Sequence, residues 1–165
     1  MQLVDLYQEI ILDHYRDPRG EGTLPAPLAA AHHVNPTCGD EITVEVARHP
    51  DGSLVLRHQG IGCSISRASA SVMSELVEGH SIEQAEITRQ AFTTLMHSAT
   101  GAGSGDSPNE ELLGDAVAFS GVAKYPARIK CALLPWMALQ DACIQAGLTG
   151  HRDPALDDST EGTAS

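Results

Sequence analysis

The apolar positions of the chain change period several times, and each change marks an element. Leu3, Leu6, Tyr7, Ile10, Ile11 and His14 recur at helical spacing with acids and glutamines opposite them, which predicts an amphipathic first helix. Pro18 stops it, because the residue before a proline is pushed out of the α region. Residues 19–30 carry the glycines and prolines of a connection, and the AHHV stretch after them reads as a short first strand. Ile42, Val44 and Val46 alternate with Glu41, Thr43 and Glu45, the period of a half-buried strand. HPDGS turns the chain and Leu54 to Gln59 brings it back, so a β-hairpin with a Pro-Asp-Gly turn is expected. Ile65, Ala68, Ser69, Val72, Met73 and Leu76 return to helical spacing, with Gly79 as a stop. Ser81 and Gln84 have the spacing of a capping box and open a further helix or helix pair that reaches Met96.

The stretch SATGAGSGDSPNE, residues 98–110, is a flexible linker by composition. Leu112, Leu113, Ala116 and Val117 predict a short helix after it. A last helix starts at Pro126, favoured as a first helical residue, and runs to Ala146, with Pro135 expected to bend or interrupt it. Residues 150–165 are small, polar and acidic, and disorder is expected there. The organisation is therefore one α+β domain over residues 1–149 and an acidic tail over 150–165. With 165 residues the chain can bury a core without staples.

Charge narrows the partners. A formal net charge of −12 opposes nucleic-acid phosphates and anionic membrane surfaces, and suits a basic protein partner. Asp5, Glu9 and Asp13 interrupt the apolar pattern of the N-terminal segment, so neither a signal peptide nor a membrane span is expected and the cytoplasm is the expected compartment. Thiols stay reduced there. Cys38, Cys63, Cys131 and Cys143 then read as core residues, metal ligands or reactive thiols before they read as disulfides.

The chemistry gathers at element edges. NPTCGD, residues 35–40, places a thiol and a carboxylate two positions apart in a turn just ahead of a strand. A hairpin turn centred on Asp51 and Gly52 sets Cys38 opposite Ile65, which brings Cys38 and Asp40 beside Cys63. Cys38 and Asp40 share the parity of Ile42 and Val44 and can lie on one face of an extended chain. Cys63, in GIGCSIS, opens a helix whose dipole favours a thiolate, and its flanking glycines permit close approach. Cys131 lies in the first turns of the last helix, beside Arg128 and Lys130, whose charge lowers a thiol pKa. Cys143 lies about 18 Å further along a continuous helix and reads as core.

Each of these thiols alone is more often a buried core residue. Three thiols and one carboxylate together form a four-coordinate set suited to Zn2+ or to iron with sulfide. His32 and His33 precede Cys38 but read as surface bystanders. Asp13, His14, Tyr15 and Arg19 form a polar cluster at the end of the first helix, either a solvated terminus or a docking surface. There is no C-x-x-C pair, zinc-deaminase pattern, P-loop or dinucleotide fingerprint.

IILDHYRDPRG, NPTCGD, GIGCSISRASASVM and YPARIKCALLPWMAL occur in this order, and over residues 2–147 the chain resembles the U-type (IscU/NifU-like) iron–sulfur cluster assembly proteins, its SufU-type branch in particular. The resemblance implies a SufE/NifU-like α+β fold, a small antiparallel sheet of three strands packed against several helices. It implies Cys38, Asp40, Cys63 and Cys131 as the metal ligands, with Zn2+, iron or a [2Fe–2S] cluster bound. It implies Cys38 as the sulfur acceptor, a SufS-type PLP-dependent cysteine desulfurase as partner, and cluster-assembly proteins downstream. Lys130 stands where the IscU branch has a histidine, and YPARIK stands where that branch has its chaperone-binding motif. Both departures, with the insertion over 98–123, favour a zinc-dependent sulfurtransferase over a cluster scaffold on the same ligands. Arg128 is the cation expected to neutralise the freed Cys38 thiolate or to meet the partner. A purely structural zinc module fits a domain of this size poorly.

Overall fold

The computed structural model describes residues 3–98 and 110–148, with Glu110 in its backbone only. The expected linker at 98–110, apart from its end residues, and the acidic tail at 150–165 lie outside the described residues. A first helix, α1 (Leu3–Arg16), leads to strands β1 (Ala29–Asn35), β2 (Asp40–Arg48) and β3 (Leu54–Ile61). Helices α2 (Ser64–Val77), α3 (Ile82–His97) and α4 (Glu110–Leu113) follow, then a 3-10 helix (Gly114–Lys124) and α5 (Pro126–Gln145).

The strands form one antiparallel sheet in the order β1-β2-β3. Ile42, Val44, Val46, Leu54 and Leu56 are buried on one face, against α5 and α2, as their alternation requires. Beneath them Trp136 stacks on Phe92 at a centroid distance of 4.8 Å, and Phe119 meets Phe92 edge-on at 5.7 Å. Such pairs add about 0.5–1.5 kcal/mol each beyond their burial.

The register differs by one residue from the sequence expectation. Val46 pairs with Leu56 and Val44 with His58, so the pairing continued past the strands sets Cys38 opposite Ser64 rather than Ile65. The turn is the cause. His49 N–H donates to Ser53 O at 2.9 Å and Gly52 N–H to His49 O at 2.8 Å, while Gly52 takes a φ of 93°. This is a three-residue loop with a glycine bulge, not a two-residue turn.

α1 also differs. Leu3 and Leu6 are 61% and 45% exposed; the helix half-buries Tyr7, Ile10 and Ile11 and fully buries His14, and Arg67 of α2 lies over the Tyr15 ring at 5.4 Å. α5 runs through Pro135 without interruption. Ser69 on α2 braces it there, donating to Ala132 O at 2.6 Å and accepting from Trp136 Nε1–H at 3.1 Å. A tertiary partner thus supports the helix around the residue that lacks an amide hydrogen.

Candidate metal centre at the edge of the sheet

Four residues, Pro36 to Gly39, join β1 to β2. The amides of Cys38 and Gly39 both donate to Asn35 O, at 3.2 and 2.8 Å, and Gly39 takes a φ of 73°. Pro36 opens the turn and glycine closes it, each suited to the dihedral it must adopt. Cys38 is therefore carried on an exposed turn, not on an extended strand beside Asp40 as its parity suggested. The bend brings its thiol inward, next to Cys131.

Asp40, the first residue of β2, is fully buried. Its Oδ1 accepts from the amide of Cys63 at 2.9 Å, and its Oδ2 lies 3.9 Å from Cys63 Sγ. That amide belongs to the residue capping α2, so the carboxylate sits at the positive end of the helix. Two glycines permit this approach. A Cβ on Gly62 would fall 2.6 Å from both Asp40 Oδ1 and Ser66 Oγ, and one on Gly60 would meet the Glu41 carbonyl at 2.1 Å.

Cys131 enters from the second turn of α5 and is fully buried. Its Sγ lies 3.4 Å from Cys38 Sγ. The donor atoms of Cys38, Asp40 and Cys131 all lie within 4.8 Å of one another. Cys63 stands outside that group but joins it through Asp40. Burial pushes the Cys131 thiol well up, reinforced by hydrogen bonds with Asp40 and Cys38 and by the charge of Cys63 and Asp40. Without a cation the Cys131 thiol is thus held back from ionising; a divalent ion bound beside it would reverse that balance. The donors present thus fit Zn2+ or a thiolate-bound iron centre.

Arg128 is exposed in the first turn of α5, three residues ahead of Cys131, and its guanidinium makes no hydrogen bond or ion pair among the described residues. Cys143 is remote from the cluster and buried, and burial pushes its thiol up to about 12. His32 and His33 pair with Glu41 and Asp141, both at 3.2 Å.

The polar cluster at the end of α1 is neither a solvated terminus nor a free docking face at its centre. His14 is fully buried, with Nδ1 2.7 Å from Ser71 Oγ and Nε2 2.9 Å from Asp115 Oδ2. Glu75 completes a second group of potential metal donors, but both histidine nitrogens are already engaged and Arg19 reaches Glu75 at 3.5 Å. Its evident role is to fasten α1 to α2 and to the 3-10 helix. Asn35 and Ser66 were missed in the sequence; only their positions beside Cys38 and Cys63 hinted at them.

A family model described as the NifU-like N-terminal domain matches residues 6–132. The zinc-dependent sulfurtransferase SufU of Bacillus subtilis is 42% identical over 137 residues, which cover 82% of this chain and 87% of that protein. The iron–sulfur cluster assembly scaffold protein IscU of Streptococcus pyogenes is 35% identical over 150 residues, 91% of this chain and 90% of that one. Among solved structures, a putative iron–sulfur cluster assembly scaffold protein for the SUF system from Fervidobacterium islandicum superimposes with a TM-score of 0.72 at 29% identity, covering 86% of this chain and 98% of that chain. The N-terminal part of a NifU-like protein from Brucella abortus gives 0.73 at 26% identity, covering 87% and 95%. On the matched domain, the shared fold and these relatives, the chain belongs to the IscU/NifU-like iron–sulfur cluster assembly family, as a SufU-type member.

Proposed function

We propose that this protein is a zinc-dependent sulfurtransferase that accepts persulfide sulfur from a SufS-type, PLP-dependent cysteine desulfurase and passes it to cluster-assembly proteins in the cytoplasm. One observation carries the reading: of two thiols 3.4 Å apart, Cys38 is exposed on a turn and Cys131 is buried on a helix. A site with one presentable sulfur and firmly seated neighbours suits exchange better than permanent storage.

Cys38, Asp40, Cys63 and Cys131 would hold the metal, which when bound keeps thiols ionised and ordered at neutral pH. The transfer itself is thiol exchange. The Cys38 thiolate attacks the outer sulfur of the partner's cysteine persulfide, a new S–S bond forms, the old one breaks, and the partner's thiolate leaves. Sulfur ends as a persulfide on Cys38 with no net oxidation or reduction. Arg128, exposed and unpaired, is the cation to neutralise the freed thiolate or to contact the desulfurase. The identity to the Bacillus subtilis sulfurtransferase supports this reading. The relation to the Streptococcus pyogenes scaffold supports the alternative, a [2Fe–2S] cluster built on the same four ligands.

The test is desulfurase turnover with free cysteine and a mild reductant, the zinc-loaded chain being added well below one equivalent. Alanine release that far exceeds the amount of chain added, and that is lost in Cys38→Ala, is the expected result. Turnover that stops near one sulfur per chain contradicts transfer and favours the scaffold.

A further inference from the structure

Asn35 pairs with Asp40 across the β1–β2 ladder, so both side chains lie on the sheet face that α5 covers. Asn35 is buried, and its amide is divided between two elements. Nδ2–H donates to Cys131 Sγ at 3.7 Å, and Oδ1 accepts from the Thr37 amide at 3.3 Å. Its backbone carbonyl takes the amides of Cys38 and Gly39. A single residue therefore shapes the turn that presents Cys38 and touches the sulfur that Cys38 faces.

The thiols are treated unequally. Cys131 Sγ receives a buried amide donor, whereas Cys38 Sγ meets no nitrogen donor among the described residues. An N–H directed at a thiolate withdraws charge from it and fixes its orientation, which lowers its reactivity. We propose that Asn35 is a positioning residue that seats and quiets Cys131, so that Cys38, lacking such a donor, is the sulfur that leaves the cluster and attacks. The proposal rests on the metal-site reading above.

The experiment loads the full chain with Co2+ and with Zn2+, alongside Asn35→Ala and Asn35→Asp. The aspartate keeps an acceptor for Thr37 but removes the donor to Cys131, and it decides the matter if the alanine variant fails to fold. Far-UV dichroism checks folding. In both variants the thiolate-to-Co2+ absorption should move to lower energy and Zn2+ affinity should fall about ten- to a hundred-fold. Alkylation of the zinc-loaded protein, which in the parent should reach Cys38 first, should then reach Cys131 as well. Folded variants with the parent's band energy, affinity and labelling order would overturn the role of Asn35. If the unsubstituted chain itself lacks thiolate-to-Co2+ absorption, the metal site is wrong and the inference goes with it.

Discussion

At the scale of the residue, the site is held by what is small as much as by what is reactive. Gly62 leaves the room into which the Asp40 carboxylate fits, since a methyl there would sit 2.6 Å from Oδ1. Asp40 has no slack to absorb this, being buried and bonded to the Cys63 amide. Gly62→Ala should therefore lower Zn2+ affinity about tenfold or more, as loss of ligand orientation generally does, while far-UV dichroism stays that of the parent. Unchanged affinity in a competition titration would mean that Asp40 is not a ligand. That Cys38, Asp40 and Cys131 come together was legible in the sequence because each combined a metal-binding side chain with an element edge; Cys63, read the same way, meets the group through Asp40. Asn35 was not legible. Its contact with Cys131 joins positions 96 apart and exists only because α5 lies over the sheet, and no local period encodes that.

At the scale of the element, hydrophobic alternation located the strands and the helical stripes located the helices, but the joints between them needed more. The β2–β3 register turned on Gly52 adopting a left-handed conformation. The apolar parity already contained the answer: Val46 and Leu56 share the buried face only in a register whose paired residue numbers sum to an even number, which a two-residue turn centred on Asp51 and Gly52 forbids. His14 was misjudged for a related reason, because a histidine on an apolar stripe looks polar until its partners Ser71 and Asp115 come from distant elements.

His58 is a second buried histidine at a joint. Nε2–H donates to Arg19 O at 2.7 Å, pinning the segment after α1 to β3. Burial is the main reason its pKa lies below 6.5, with the bond to Arg19 O acting in the opposite sense. The folded state thus binds the proton less readily than the unfolded state. Its stabilisation is complete above the ordinary histidine value and is lost as the pH falls below it, through the lowered folded value. Unfolding free energies from denaturant titrations should decline between about pH 7 and about pH 5, and decline less in His58→Gln. Equal slopes in the two proteins would remove His58 from this role.

At the scale of the whole molecule, a three-stranded sheet and its covering helices form a core around Trp136, Phe92 and Phe119, none of which belongs to the candidate metal centre. The cluster sits at one edge of that body, where a turn, a strand end, a helix start and a second helix meet. A net charge of −12 favours a basic docking partner. No described helix is long and apolar enough to cross a membrane. The central claim is that Cys38 carries the transferred sulfur, and the most direct measurement maps that atom. The zinc-loaded chain is mixed with a SufS-type desulfurase and cysteine for a single turnover, trapped with an alkylating agent, digested and weighed peptide by peptide. The account predicts one added sulfur on the peptide containing Cys38, and none anywhere in Cys38→Ala. An added sulfur on Cys63 or Cys131 with Cys38 unmodified, or sulfur accepted undiminished by Cys38→Ala, would contradict it.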